Sequence, residues 1–256
     1  MLTEEQAALT DAQLERYSRQ LLLPEVDIAG QQALRAARVL IVGAGGLGHP
    51  AALYLAAAGV GELLLMDDDR VERSNLARQV GFRDTQLGQL KVEALADTLA
   101  AINPDCKVFP LAQRFAEKAP VLTNAQAPVQ LVLDCTDNFA TRFAINAACV
   151  AAAVPLISGA AIRLSGQVAC FDPAQPDAGC YRCLFADIGE DELRCSEAGV
   201  LGPLVGMIGS FQALLALRYL TSGSLPANFW QFDASHWQWR KLQLKRDPAC
   251  PVCGNR

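Results

Sequence analysis

Short apolar runs and longer amphipathic stretches take turns along the first part of the chain. Runs such as RVLIV at 38–42 and ELLLM at 62–66 have the length of buried strands, and helical patterns separate them. Strands that alternate with helices in this way are typical of a parallel, doubly wound sheet. Beyond residue 160 the pieces SGQVACF and FWQFD predict further strands around one apolar helix. We therefore predict a Rossmann-like α/β fold whose mainly parallel sheet continues into antiparallel strands.

The chain contains no internal repeat, low-complexity run or obvious linker, so we expect one continuous domain over residues 1–256. Within it the pattern distinguishes N-terminal helices (1–36), a half in which strands and helices alternate (37–160) and a more strand-rich half (161–256).

Composition and charge exclude several classes of partner. Hydrophobic residues make up 52% of the chain and the net charge is −5, which predicts a globular protein without general affinity for nucleic acid or membranes. The uncharged stretch 199–217 has the length of a membrane span, but Pro203, Gln212 and four glycines favour a buried helix at the core or at a subunit interface. Acidic residues near the N-terminus, where a signal peptide has basic ones, indicate a cytoplasmic protein.

The glycine-rich stretch IVGAGGLG at 41–48 stands where the first predicted strand gives way to a helix. The spacing Gly43-x-Gly45-x-x-Gly48 permits a tight turn and presents the N–H groups of a helix N-terminus to an anion. Asp67 ends the second strand, nineteen residues later, where an acid binds ribose hydroxyls. Together these features predict a nucleotide site, whereas the glycine motif alone fits NAD, ATP or a plain strand–helix turn.

Polar and charged residues in the loops that follow favour ATP. Asn75 and Arg78 come after Asp67, Lys91 begins the next predicted helix, and Asp137 follows a later strand. These segments lie at the carboxyl ends of strands, where ligands of doubly wound sheets bind. A triphosphate carries more negative charge than the pyrophosphate of NAD, and its reactions use cations and a metal ion. The Asp137 carboxylate has the chemistry that Mg²⁺ prefers.

Nine cysteines are present, an odd number that fits a reducing compartment better than a disulfide framework. Cys180-Tyr-Arg-Cys183 and Cys250-Pro-Val-Cys253 make two CxxC pairs, the ligand set of a structural tetrahedral zinc site. Such a site would tie the C-terminal segment to the body of the fold, and a thioredoxin-like redox pair is the alternative. The chain has two histidines, His49 and His236, so a His-based catalytic triad is not expected.

Seven motifs, spread from about residue 12 to residue 254, together resemble one family. They are RYSRQ (16–20), GAGGLG (43–48), SNLARQ (74–79), GQLKVE (88–93), DCTDN (134–138), CYRC (180–183) and CPVC (250–253). The combination resembles the bacterial MoeB/ThiF adenylyltransferases, relatives of the ubiquitin-activating enzymes. The family joins ATP to the C-terminal Gly-Gly carboxylate of a ubiquitin-like sulfur carrier and releases pyrophosphate. The resemblance implies this reaction here, with a MoaD-type carrier of molybdopterin synthesis first and a ThiS-type carrier of thiamine synthesis as the alternative.

The resemblance also assigns the two halves of the chain and the site. Residues 37–160 would form the nucleotide-binding half, and residues 161–256 the half that binds the carrier protein and zinc. It implies that Asp67 binds ribose, that Asp137 holds Mg²⁺, and that Arg19 is an arginine finger reaching the ATP of the neighbouring subunit, hence a homodimer. The residues expected to contact the nucleotide are Gly43, Gly45, Gly46, Gly48, Asp67, Asn75, Arg78, Lys91, Asp137 and Asn138. The residues expected to act in catalysis are Arg19, Arg78, Lys91, Asp137 and Cys195.

Cys195, in LRCSEAGV, matches a cysteine that links covalently to the carrier in some family members and is dispensable in others. Arg194 beside it would favour the thiolate. The chain has no fused rhodanese-like segment, so we expect a separate sulfur donor. It departs from the family at Ala77, where Gln is frequent, and at His49, where a small residue is common.

Three other functions stay open on the sequence. The first is an NAD-dependent oxidoreductase with structural zinc, which leaves Arg19, Arg78 and Lys91 unexplained. The second is a non-catalytic, zinc-bearing interaction module. The third is a relative that activates a small molecule, a peptide or a tRNA-linked carboxylate.

Overall fold

One eight-stranded sheet runs through the computed structural model, which describes residues 8–116, 120–185 and 199–254. The strands lie in the order β3-β2-β1-β4-β5-β6-β7-β8, parallel from β3 to β5 and antiparallel from β5 to β8. This confirms the predicted parallel sheet with an antiparallel continuation. The strands are Arg38–Val42 (β1), Glu62–Met66 (β2), Lys107–Leu111 (β3), Leu131–Asp134 (β4), Leu156–Ile162 (β5), Ser165–Phe171 (β6), Asn228–Asp233 (β7) and Gln238–Gln243 (β8).

Helices cover both faces of this sheet. They are Asp11–Arg16 (α1), Ser18–Leu21 (α2), Asp27–Ala36 (α3), Gly48–Ala57 (α4), Lys91–Ile102 (α5), Pro120–Thr123 (α6), Phe139–Ala152 (α7), Tyr181–Leu184 (α8) and Gly202–Ser222 (α9). Short 3₁₀ helices at Arg73–Asn75 and Asp84–Gln86 lie between β2 and α5.

Strand β1 shows why the central strands are apolar without interruption. Val39 and Ile41 point into a core shared with α4, α5 and α9, whereas Leu40 and Val42 point into a second core shared with α7. A strand between two helical layers has no solvent face, so an alternating pattern would bury polar side chains. The continuous apolar runs in the sequence therefore mark strands that are covered on both faces.

The long apolar helix α9 belongs to the first of these cores. By length and composition alone it would pass as a membrane span. In the structure α9 packs against α4, α3, β5 and β6, and Leu204, Ile208 and Ala216 are buried there. The expectation of a buried core helix is confirmed for this segment.

The two edges of the sheet, within the described residues, are β3 and β8. Pro110 lies inside β3, and every residue of β8 is exposed, including Arg240 and Lys241.

Helix α5 begins at Lys91, as predicted. The residues before it are not helical, because Gly88 has a φ of +83° and Leu90 forms an extended bridge with Arg70. Strand β3 ends at Leu111, where the Gln113 N–H donates to the Leu111 carbonyl.

We expect Gln212→Leu to destabilise the fold by about 2–3 kcal/mol, because it leaves buried carbonyl groups without a donor. The fully buried Gln212 amide donates to the carbonyls of Asp134 (2.9 Å) and Ile157 (3.1 Å), at the ends of β4 and β5. Denaturant unfolding measures the loss. The exposed Arg218→Ala on the same helix serves as control, and equal stability of the two variants would contradict this role of Gln212.

Candidate functional site

The glycine loop (residues 43–48) lies at the carboxyl end of β1. Gly43 has a φ of +94° and donates its N–H to the Met66 carbonyl at 2.8 Å. A Cβ on Gly48 would stand 1.8 Å from the Gly43 carbonyl oxygen, so the turn closes only with glycine there. The strand order reverses between β1 and β4, the position at which doubly wound folds bind nucleotides. The loop occupies the predicted position, directly before α4.

Asp67 is fixed against this loop. Its carboxylate accepts hydrogen bonds from the N–H groups of Ala44 (2.7 Å) and Asp69 (2.8 Å). Burial raises the pKa of the Asp67 carboxyl, and the two backbone hydrogen bonds oppose that rise. The side chain is therefore oriented before any ligand binds, beside the N-terminus of α4.

Lys91 places a desolvated cation at the same edge of the sheet. It is the first residue of α5, and its side chain is only 7% exposed. Its Nζ atom lies 2.8 Å from a carboxylate oxygen of Asp69, which is itself 62% exposed. A buried ammonium needs an anionic partner, so this position suits an anion from the ligand as well as from Asp69.

Asn75 and Arg78 lie on the segment between β2 and α5. The buried Asn75 side chain accepts the Glu72 N–H at 3.0 Å, and the half-buried Arg78 donates to the Ser74 carbonyl at 3.0 Å. A Cβ on Gly46 would lie 3.4 Å from the Arg78 carbonyl oxygen. The segment thus packs directly against the glycine loop and brings Arg78 to the carboxyl ends of the parallel strands, which we call the nucleotide edge.

The motif DCTDN divides into a buried and an exposed part. Asp134 is fully buried and accepts hydrogen bonds from Thr136 and from Ser158 (2.6 Å). Asp137 is exposed, and its carboxylate has no hydrogen-bond or ion-pair partner among the residues that the structure describes. Asn138, predicted to contact the nucleotide, caps α7 by accepting the Thr141 N–H at 2.9 Å.

Arg19 lies away from these residues. It is exposed on α2, which is bonded to the loop that follows α4, at the amino ends of the strands. The structure therefore does not bring Arg19 to the glycine loop of its own chain. Cys195 and Arg194 lie outside the described residues.

Two polar residues at this edge were missed by the sequence analysis. Asp69 pairs with Lys91, but three consecutive aspartates give no sign of which one does so. Gln79 is buried, its Oε1 has no partner within the described part of the chain, and its Nε2 faces Gly45. Its position next to Arg78 in the motif was the available signal.

The four CxxC cysteines form a cluster of their own, separate from the two cores that flank the sheet. Their sulfur atoms lie within 4.8 Å of one another, with 3.8 Å between Cys180 and Cys250 and 3.4 Å between Cys183 and Cys253. Sulfurs bound tetrahedrally to Zn²⁺ at about 2.3 Å stand about 3.8 Å apart. The Asp247 N–H points at the Cys183 sulfur (3.4 Å), as expected around a thiolate. The cluster joins the segment after β8 to α8.

Comparison with known proteins identifies the family. The model of the ThiF family matches residues 17–252. The chain belongs to the ThiF family. It is 48% identical over 250 residues to the molybdopterin-synthase adenylyltransferase of Salmonella typhimurium, covering 97% of this chain and 99% of that protein. It is 47% identical over 247 residues to the sulfur carrier protein ThiS adenylyltransferase of Escherichia coli, covering 96% and 97%.

Solved structures share the fold of this ThiF-family chain. Escherichia coli MccB with ATP superposes with a TM-score of 0.80 at 24% identity, over 94% of this chain and 75% of that one. Another MccB structure gives 0.81 at 23% identity, over 97% and 74%. Both agree with the mixed sheet described above.

His49 is an unusual residue beside the glycine loop of this ThiF-family chain. It is fully buried, and within the described residues neither ring nitrogen has a hydrogen-bond partner. Phe82 packs edge-on against the ring at 4.6 Å, and a Cβ on Gly81 would lie 1.8 Å from the His49 Nε2 atom. The His49 ring therefore fits because residue 81 is a glycine and has no side chain. Burial lowers the pKa of His49 from 6.5 to about 4.

We expect acid to destabilise the protein through His49. Because its pKa is lower in the folded chain, the unfolded chain takes up the proton first as the pH falls. The contribution of neutral His49 is complete above pH 6.5 and is lost, by about 3 kcal/mol, as the pH falls to about 4. Unfolding at several pH values measures this slope. His49→Leu should reduce it and the exposed His236→Asn should not; an undiminished slope in His49→Leu would refute the assignment.

Proposed function

We propose that this protein is an ATP-dependent adenylyltransferase that acts on the C-terminal glycine carboxylate of a ubiquitin-like sulfur carrier. Relatives named for that class of reaction match it at 47% and 48% identity over nearly their whole length. The observation that carries the proposal is the gathering of the glycine loop, Asp67, Arg78 and Lys91 at one edge of the sheet. This edge therefore offers a phosphate group both the N–H groups at the N-terminus of α4 and the positive charges of Arg78 and Lys91.

In the proposed reaction an oxygen of the carrier's C-terminal carboxylate bonds to the α-phosphorus of ATP. The bond from that phosphorus to the bridging oxygen of pyrophosphate breaks, and pyrophosphate leaves with the electron pair. Lys91 and Arg78 stabilise charge on the phosphoryl oxygens. Since the carboxylate is already ionised at neutral pH, no general base is required, in line with a buried His49 and an exposed His236 far along the chain.

Asp137 is the residue we propose for Mg²⁺. Its carboxylate follows β4 and is left unpaired by the rest of the described chain, so an oxygen ligand is available at the correct edge. When bound, the ion would neutralise charge on the phosphates.

The nicotinamide enzyme and the non-catalytic module account less well for the same observations. NAD chemistry gives no task to the buried Lys91 or to Arg78. An interaction module does not need a glycine turn this tightly closed. Between carriers, the segment ISGAAIRLSGQ at 157–167 resembles the molybdopterin branch, whereas DDDRVERSN at 67–75 and SHWQWRKLQLKR at 235–246 resemble the thiamine branch. We place a MoaD-type carrier before a ThiS-type one, and adenylation assays with both carriers in parallel test this order.

We further propose a homodimer in which Arg19 serves the partner's site. Helix α2, which carries Arg19, is hydrogen-bonded through Gln20 to the Ala58 carbonyl at the C-terminal end of α4. The glycine loop lies at the N-terminal end of α4. A helix of ten residues separates these ends by about 15 Å, more than an arginine side chain spans. This separation supports a role for Arg19 at the ATP site of a second copy rather than of its own chain.

The four clustered cysteines are proposed as the ligands of a structural zinc ion. Four thiolates close the coordination sphere, so the metal would hold the C-terminal segment on α8 and take no part in adenylation.

We expect Lys91→Ala and Arg78→Ala each to lower carrier-dependent exchange of pyrophosphate into ATP by about 10²–10³-fold, because each removes charge stabilisation from the transition state. Radiolabelled pyrophosphate measures the exchange. Arg73→Ala, on the same segment but exposed and paired with Asp84, is the matched control and should keep its activity. Wild-type exchange in both site variants, with a carrier that the unaltered protein adenylates, would exclude the assigned roles.

We expect one zinc ion per chain, lost in Cys253→Ser together with a lower melting temperature, because the C-terminal segment is then released. Metal analysis and thermal unfolding measure the two effects. Cys106→Ala, a buried cysteine outside the cluster, should retain the metal. Equal zinc content in both variants would argue against a zinc site made of these four cysteines.

A further inference from the structure

We infer that Tyr17 and Gln20 are positioning residues that hold Arg19 toward the active site of a partner chain. This inference rests on the proposed role of Arg19. The two residues flank Arg19 along the chain, and both are bonded to the body of the fold at the amino edge of the sheet. Tyr17 and Gln20 together form what we call the anchor.

Tyr17 forms the first half of the anchor. Its side chain is buried, and its hydroxyl accepts a hydrogen bond from the Asn103 amide at 2.9 Å. Asn103 is itself fully buried and donates to the Ala56 carbonyl at 2.7 Å. The ring lies so close to Gly59 that a Cβ there would stand 2.6 Å from the Tyr17 Cζ atom. Tyr17 thus connects α2 to the ends of both α4 and α5.

Gln20 forms the second half, on the other side of Arg19. Its amide donates to the Ala58 carbonyl at 2.9 Å and to the side-chain oxygen of Gln31. Gln31 is fully buried and donates to the same Ala58 carbonyl at 3.0 Å. Two amides from neighbouring helices therefore converge on one carbonyl group, which fixes α2 against the C-terminal end of α4.

Among the residues that the structure describes, the anchor alone orients Arg19. Its guanidinium makes no hydrogen bond or ion pair within residues 8–116, 120–185 and 199–254. Helix α2 has four residues, too few to be stable in isolation. An arginine that must meet a phosphate across an interface loses less conformational freedom when its backbone is already fixed.

The apolar side chains that follow Arg19 in the sequence form a surface that a second copy of this chain would cover in the proposed dimer. Leu22, Leu23 and Ile28 follow Arg19 and are exposed by 76%, 51% and 47%. Three large apolar side chains at the surface are covered when another protein packs there. Arg19 precedes Leu22 and Leu23 in the sequence. A partner that packs on these side chains would therefore bring its own surface close to Arg19.

The test uses hybrid dimers of differently tagged full-length chains, assayed by pyrophosphate exchange with a carrier that the wild-type protein adenylates. The anchor variant carries Tyr17→Phe and Gln20→Ala. The first hybrid pairs it with a Lys91→Ala chain. The second pairs a chain carrying all three substitutions with a wild-type chain. Both hybrids therefore contain the same substitutions in different distributions.

If the anchor acts through Arg19 in trans, the first hybrid keeps one complete site and about half of wild-type activity. The second hybrid has its intact Lys91 site served by an unanchored arginine, and kcat falls about tenfold or more with the KM for ATP unchanged. A merely structural role in cis reverses the order, with the second hybrid more active. That reversal, or equal activities, would overturn the inference. Should the double variant not fold, the single variants are used.

Matched hybrids with Arg19→Ala in place of the anchor substitutions separate the inference from its premise. If they fail to show the same asymmetry, the proposed role of Arg19 fails and the inference fails with it. If they show it and the anchor hybrids do not, only the anchor inference fails.

Discussion

The backbone of the glycine loop has to fit between the ends of β2 and β4, and the rest of the nucleotide edge depends on that close fit. Gly43 is bonded to the Met66 carbonyl on one side, and on the other a Cβ would come within 2.7 Å of the Cys135 carbonyl oxygen. A loop held between two buried strands cannot shift without opening the core. Ala44 can therefore present its N–H to Asp67 in a defined direction. The geometry of the site is a property of the sheet rather than of the loop alone.

The two ends of α4 contact different functional parts of the molecule. Its N-terminal end faces the nucleotide edge, where Lys91 is kept desolvated against an exposed Asp69. At its C-terminal end the Ala58 carbonyl accepts a hydrogen bond from Gln20 of α2, and the Ala56 carbonyl accepts one from Asn103, which also donates to the Tyr17 hydroxyl. One helix thus separates the glycine loop of a chain from its Arg19. This separation is the structural ground for the dimer that we propose.

Local patterns account for the parts of the fold and site that the sequence predicts. Strand lengths, the glycine turn and the position of Asp67 are set by neighbouring residues, and all lie where they were expected. Partners distant in the chain are not visible in such patterns. Lys91 and Asp69 are 22 residues apart, and Gln212 reaches Asp134 across 78 residues from a helix that reads as uniformly apolar. The roles of Asp137 and Asn138 stay predictions because they depend on ligands, and that of Cys195 stays one because Cys195 lies outside the described residues.

The edges of the sheet restrict how copies of the chain can meet. Pro110 in β3 lacks the N–H group that a neighbouring strand would need, and Arg240 and Lys241 place like charges along β8. Both features oppose joining of sheets from two molecules, the usual start of fibrous aggregation. The helical faces, rather than the sheet edges, are therefore left for the closed dimer that we propose.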